Sequence, residues 1–556
     1  MVDPHPDAAF LTPDEELPDA AEVGPVNTPD ETAVDSPSAE IQPADHRAAL
    51  DAIERAWTTI APLQGARLRE AIRSTPEEEW RGRPRILLAL AASHRSIGSR
   101  SRSAALPWFR GVAKAIDADP AMPLDVRAGY HVHLAASLRT LGNFVVAHEH
   151  LEVARTMIET DITESISARI SLSAEFSLEL GLIRIHYGEY DQAQFALGLA
   201  SGLSEEHLSV AQRVECASAL AYVAMLLGDF TLADEHLSVA VELSDGTDLM
   251  TSSFAALAQI TRLQLALERD EVLGGVAPLI DSVRLATRGS DWEALGWFAE
   301  ANACLADRRY IEVLDLLARI TRLVEGFTGQ PTLPGAVASL RAETMRSLGQ
   351  PQEARRLSAP LVPTPRHIQC PGRVLALVHL AAGEPEAALD ALGPCLALGD
   401  LHSERTMPHV HAIVAAAHLA LGDAARADIA FDRALLAAGR NGSVWMFATL
   451  DPDVLRHLLD RAAQRDQPPV IRASLERLLG SAVDSVHQLA EPLSDRELVI
   501  VRHLATGQTL GQIGSQLYIS VNTVKSHVRS IYRKLQATSR REAMARVRQL
   551  GLHIDD

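Results

Sequence analysis

Five polar residues near the C-terminal end of the chain, Asn522, Lys525, Ser526, Arg529 and Arg533, recur at spacings of three and four. That spacing puts them on one face of a helix. The face is cationic, carries no acid and includes small side chains that permit close approach. Its chemistry is hydrogen-bond donation to an acceptor-rich polyanion: Lys and Arg can donate to guanine edges in the major groove of double-stranded DNA. On the opposite side Val521, Val524, Val528, Ile531 and Leu535 form an apolar stripe suited to a core.

Other chemistry is sparse. The chain has three lysines, Lys114, Lys525 and Lys534, and none follows a glycine, so no Gly-Lys-Ser/Thr phosphate loop exists. His131 with His133, and His148 with His150, are spaced by two, which on a helix sends the side chains in divergent directions. The four cysteines, Cys216, Cys304, Cys370 and Cys395, are scattered and read as small buried side chains in a reducing cytosol. No catalytic constellation, metal site or cofactor is expected, and the chain is not expected to be an enzyme.

The elements that must position the cationic face are marked by their caps. Ser494 with Glu497 forms a capping box that opens a helix to about Thr506, and Gly507 ends it. Thr509 with Gln512 opens a short second helix to about Leu517. After a turn at Tyr518 to Ser520, Ser520 caps the third helix, Val521 to Leu535, which carries the face. Ser539 with Glu542 caps a fourth, running to Leu550. Gly511 and Gly514 in the second helix lower its propensity by about 1 kcal/mol each relative to Ala.

Residues Leu493 to Leu552 resemble the C-terminal domain of the LuxR-type transcription regulators, a four-helix helix-turn-helix family. That likeness implies that Lys525, Ser526 and Arg529 meet base edges. It implies backbone-phosphate contacts for Asn522, Thr523, Arg533, Lys534 and Arg540, and a dimer face through Ala543, Val547 and Leu550. The second helix departs from the family where Gly511 and Gly514 replace the usual Lys and Ala.

Upstream, from about residue 46 to 480, the apolar period is helical and a phrase recurs: a glycine, a polar residue, an aromatic, then Ala, Leu and Ala. Copies start at Gly142 (Phe144, Ala147, Leu151, Ala154), Gly188 (Tyr190, Ala193, Leu197, Ala200) and Gly228 (Phe230, Ala233, Leu237, Ala240). Others start at Gly349, Gly383 and Gly422, with a degenerate copy at Tyr310. The glycine ends the first helix of a hairpin, the polar residue caps the second, and the aromatic wedges between them. The phrase resembles the second half of the tetratricopeptide repeat (TPR), although its glycines lie about 40 residues apart rather than 34.

The expected fold is all-α: an α-solenoid of TPR-like helical hairpins over residues 46–480, a linker at 481–492, and the helix-turn-helix domain at 493–556. Residues 1–45 hold twelve acids and no Lys or Arg and read as a disordered acidic tail. The net charge of −20 does not argue against a polyanion partner. Residues 493–556 carry ten Lys and Arg against five acids, about +5 locally, and affinity follows the local field. No signal peptide or membrane span is expected, so the protein should be cytoplasmic. The implied function is a DNA-binding transcription regulator that pairs as a homodimer on DNA, its solenoid sensing a peptide, protein or small-molecule effector. The alternative is a helical-repeat interaction scaffold with a minor DNA-binding role.

Overall fold

The computed structural model describes residues 43–95, 103–161, 164–269, 276–328, 332–443, 445–480, 493–517 and 519–535, with residues 537, 540, 543, 544 and 547. The expected acidic tail, apart from its last three positions, and the linker at 481–492 lie outside these residues. Among the described residues there are helices and one isolated bridge, and no strand.

The recurring phrase folds as antiparallel helical hairpins. They are Leu124–Thr140 with Phe144–Thr160, Ile166–Tyr187 with Tyr190–Gly202, Val210–Leu227 with Phe230–Leu243, and Glu293–Ala306 with Tyr310–Val324. Thr332–Ser347 with Pro351–Ser358, Pro371–Ala381 with Pro385–Leu396, and Met407–Ala420 with Ala424–Asn441 complete the set. Gly188 and Gly228, at φ of 77° and 91°, stop their helices in the left-handed conformation that only glycine adopts without strain. Phe144, Tyr190 and Phe230 are buried as the wedge, and every Ala, Leu or Phe of the seam after Gly142, Gly188, Gly228, Gly383 and Gly422 is buried too. The polar residue meets its expected role only in part. Asp229 and Asp423 accept the backbone N–H of Leu232 and Arg426, whereas Asn143, Glu189, Gln350 and Glu384 make no side-chain cap. The Asn143 carboxamide instead accepts from the Thr328 hydroxyl at 3.0 Å.

That last contact shows how the array is closed. The turns of early hairpins are covered by connectors from much later ones. A Cβ on Gly142 would collide with Phe327, one on Gly188 with Thr332, and one on Gly228 with Glu404 and the Arg405 backbone. These contacts help to bury the first helices of the early hairpins. Val210–Leu227 is long and apolar enough to cross a membrane, but 83% of it is buried inside the molecule. A helix apolar all round is what a doubly covered position selects.

A buried ionic network threads these helices. The Arg139 guanidinium, 1% exposed, donates to Glu179 (3.0 Å), Glu215 (3.2 Å) and Asp291, and Arg95 also reaches Glu179 at 2.9 Å. Burial opposes the charge on Arg139, yet the three carboxylates outweigh it and hold its pKa above the ordinary arginine value. His186 bonds Asp291 at 3.1 Å and stacks between Phe144 and Trp292.

Candidate nucleic-acid interface

The C-terminal helices form where the caps place them: α1 is Asp495–Ala505, α2 is Leu510–Gln516 and α3 is Val521–Lys534. Both capping boxes are complete. Ser494 accepts from the Glu497 N–H while the Glu497 carboxylate accepts from Ser494; Thr509 and Gln512 repeat the pattern. Ser520 accepts from the Thr523 N–H to open α3. The fourth helix is described only at a few positions.

The glycines of α2 differ in meaning. A Cβ on Gly514 would stand 2.8 Å from the Ile519 carbonyl oxygen, so the tight return into α3 requires glycine there. Gly511 has open space beside it, the nearest atom lying 4.0 Å away on Thr509, and is exposed.

The stripe of α3 packs inward through Val524, Val528 and Ile531, with Leu535 just beyond, against Leu498, Val501, Leu504 and Ile513. Val521, read as part of that stripe, is 42% exposed because it occupies the first turn, clear of α1. On the other side Asn522, Thr523, Lys525, Ser526, Arg529 and Arg533 are all exposed. From Lys525 to Arg533 the face runs about 12 Å along the helix axis at 1.5 Å per residue, close to the width of a B-DNA major groove.

Two cations expected at phosphates are engaged inside the domain instead. The Lys534 ammonium meets the Glu497 carboxylate at 2.8 Å and its side chain is 11% exposed. Burial alone would raise the Glu497 pKa; hydrogen bonds from Lys534, Ser530 and Ser494 overcome that and bring it to about 2. The Arg540 guanidinium donates to the carbonyls of Leu504 and of Gln508 (2.8 Å for the latter), closing the C-terminal end of α1. This satisfies a helix terminus otherwise left with orphan acceptors. Arg496 does the same for α2 through the Leu517 carbonyl at 3.0 Å. Ala543 and Val547, expected on a dimer face, are 0% and 3% exposed and pack into the core of the domain; Leu550 lies outside the described residues. An apolar stripe on a terminal helix serves its own domain first, so spacing alone does not point to a partner.

The histidine pairs diverge as expected, but each finds another partner. His131 Nδ1 meets His150 Nδ1 at 2.8 Å, and His133 bonds Glu175. All four cysteines are buried, as expected, but two of them, distant in sequence, meet in space. Cys370 and Cys395, 25 residues apart, bring their sulfurs to 3.5 Å beside His367 and His402. The available signal was the symmetry of the helical hairpin Pro371–Leu396, which has a Cys at each end and a His beyond each Cys.

A three-helix core in which a capped α2 and a tight turn present an exposed basic α3 defines a helix-turn-helix domain, here carried by a chain of helical hairpins. Residues 491–547 match the family of bacterial regulatory proteins named for luxR, so the helical hairpins are followed by a LuxR-type helix-turn-helix domain. The chain is 36% identical over 106 residues to a nitrate/nitrite response regulator protein homolog of Haemophilus influenzae, covering 19% of this chain and 49% of that one. It is 34% identical over 97 residues to the probable transcriptional regulatory protein NarL of Mycobacterium tuberculosis, covering 17% and 42%. A third relative, the HTH-type transcriptional activator RamA of Corynebacterium glutamicum, is 34% identical over 112 residues, covering 20% and 38%. The chain thus spans less than half the length of these curated relatives. The crystal structure of APC/C hetero-tetramer Cut9-Hcn1 aligns over 91% of this chain and 94% of its own at 14% identity and a TM-score of 0.33; the hairpin description rests on the helices themselves.

Proposed function

We propose that this protein is a sequence-specific, DNA-binding transcription regulator that works in the cytoplasm. In this reading α3 enters the major groove, Lys525, Ser526 and Arg529 meet base edges, and Asn522, Thr523 and Arg533 hold phosphates. Two copies occupy two half-sites, and the repeat array takes an effector that sets their pairing. The observation that carries the reading is the exposed, acid-free basic face of α3, backed by a buried stripe and held by two capping boxes. For the effector, a depression of about 750 Å³ between Phe230–Leu243 and Ala256–Glu268, lined by Asp234, Glu242, Arg262 and Arg269, is of ligand size.

The test is selection of bound duplexes from random DNA, followed by anisotropy titration of the full chain. Lys525→Ala and Arg529→Ala each cost about 1–3 kcal/mol on the selected site if the lost contact is bidentate. They cost far less on unrelated duplex, and wild-type affinity falls steeply with salt. A protein with no selected sequence and no salt-dependent binding refutes the proposal.

A further inference from the structure

Two consecutive connectors of the array meet at a cluster of metal-ligating side chains. His367 and Cys370 end the segment that precedes Pro371–Ala381; Cys395 lies in the last turn of Pro385–Leu396, and His402 follows the short turn Gly399–Leu401. The ligand atoms of all four lie within 4.8 Å of one another, and all four residues are buried. Their arrangement is specific. His367 Nδ1 donates to the Thr364 carbonyl at 2.7 Å and His402 Nδ1 to the Ser403 carbonyl at 3.0 Å. With the proton fixed there, each Nε2 is a bare acceptor, and each is buried without a hydrogen-bond partner. His367 and His402 are 5% and 1% exposed. Buried acceptors left unpaired are unfavourable, so two beside two sulfurs call for a ligand. A backbone carbonyl holding Nδ1–H is the usual way that a ligating histidine is oriented.

The sulfurs fit the same ligand. At 3.5 Å apart they are well beyond disulfide bonding, about 2.05 Å. Tetrahedral zinc, with bonds of about 2.3 Å to sulfur and 2.0–2.1 Å to nitrogen, sets ligand atoms about 3.3–3.8 Å apart. A Cβ on Gly372 would lie 3.2 Å from Cys395 Sγ and 2.6 Å from the Ala391 carbonyl, so glycine is needed for that approach. Two thiolates and two neutral imidazoles around a divalent ion sum to zero charge, which removes the main cost of burial.

We propose that His367, Cys370, Cys395 and His402 bind one zinc ion through His Nε2 and Cys Sγ as a closed structural site. Four protein ligands leave no open position for chemistry. The ion fastens two connectors that tie the later hairpins to the earlier ones. Arg366 donates its backbone N–H to the Leu401 carbonyl at 2.8 Å and reaches Asp191 at 3.1 Å; the Ser403 hydroxyl donates to the Leu226 carbonyl at 2.8 Å; Arg405 pairs with Glu268 at 2.6 Å. Occupancy thus couples directly to how the later hairpins cover the earlier ones.

The experiment is elemental analysis of untagged full-length protein, before and after loading with zinc sulfate and desalting, with thiols counted in parallel. The expected result is about one zinc per chain, two thiols protected until the metal is removed, and cobalt substitution giving the intense bands of a tetrahedral thiolate site. Cys395→Ser and His402→Gln should each lose the metal, and chelation of the wild type should raise hydrogen exchange in residues 364–370 and 397–406. The wild-type measurements do not depend on any variant folding. Less than about a tenth of an equivalent after loading, a Cys370–Cys395 disulfide in its place, or zinc retained by the Cys370→Ser/Cys395→Ser double variant each overturns the proposal.

Discussion

Glu497 and Lys534 join the first turn of α1 to the last turn of α3, and removing either should loosen α3 without touching its exposed basic face. The Glu497 carboxylate is 4% exposed and its pKa lies at about 2. Against an ordinary value near 4.5 that depression corresponds to about 3.4 kcal/mol at 1.36 kcal/mol per unit. Water relaxing around the ammonium at the edge of the domain reduces this to about 1–2 kcal/mol. Glu497→Gln keeps an acceptor for the capping box and loses the ion pair, so it should cost about that much at neutral pH. Lys534→Met should cost a similar amount, because it strips a donor from a buried carboxylate. The double variant should cost less than the sum by about 1 kcal/mol, the coupling expected for direct contact. The sign with pH follows from the depressed folded value: the contribution is present above about pH 4.5 and is lost as pH falls towards 2. Native-state hydrogen exchange of the Val524, Val528 and Ile531 amides in the full chain reads the effect, about tenfold per 1.4 kcal/mol. If Lys534→Met leaves exchange unchanged and instead lowers the salt slope of DNA binding by about one, Lys534 is a phosphate ligand and the packing argument fails.

Gly511→Ala should stabilise the helix-turn-helix domain by about 0.5–1 kcal/mol, while Gly514→Ala should destabilise it because its methyl meets the Ile519 carbonyl at 2.8 Å; local hydrogen exchange that shifts in one direction for both would contradict the assignment. Arg139→Met should cost the array about 3–5 kcal/mol in denaturant unfolding, since three buried carboxylates lose their shared cation; a loss within 1 kcal/mol would show the network to be dispensable. Acid should weaken the array from about pH 6.5 downwards. Burial lowers the pKa of His131, to about 4, and those of His186 and His409. Below the unfolded value the unfolded chain takes protons that the folded one refuses, about 2 kcal/mol for His131 alone at pH 5. Stability that rises between pH 7 and 5 would count against burial of these rings in neutral form.

What the sequence made legible was local. The capping boxes at Ser494 and Thr509, the stripe of α3 from Val524 onward and the glycine stops all depend on residues within one or two turns, and they fold as the spacing dictates. What it hid was long-range. Asn143 looks like a cap but turns to Thr328, 185 residues away. Lys534 and Arg540 look like surface cations, yet they fold back onto Glu497 and onto the end of α1. A cation on an amphipathic helix has the same signature whether it faces water or a neighbour's carboxylate. The Cys and His cluster was missed for a related reason: three of its ligands come from two connectors and the fourth, Cys395, from a helix end between them, and connectors carry no period from which their adjacency could be read.

That closure bears on how an effector could act. A solenoid read from its repeats alone has an open concave face, but here Ile368 and Arg405 from the connectors pack on Tyr222, Ile260 and Phe298 of the inner helices around a cavity of about 20 Å³. So small a space holds about one water. A ligand at that position must displace the connectors, breaking the Arg405–Glu268 and Ser403–Leu226 ties; a ligand in the depression beside Phe230–Leu243 need not. Effectors of the two kinds are separable: the first should raise hydrogen exchange across residues 397–406, and the second should leave that segment protected.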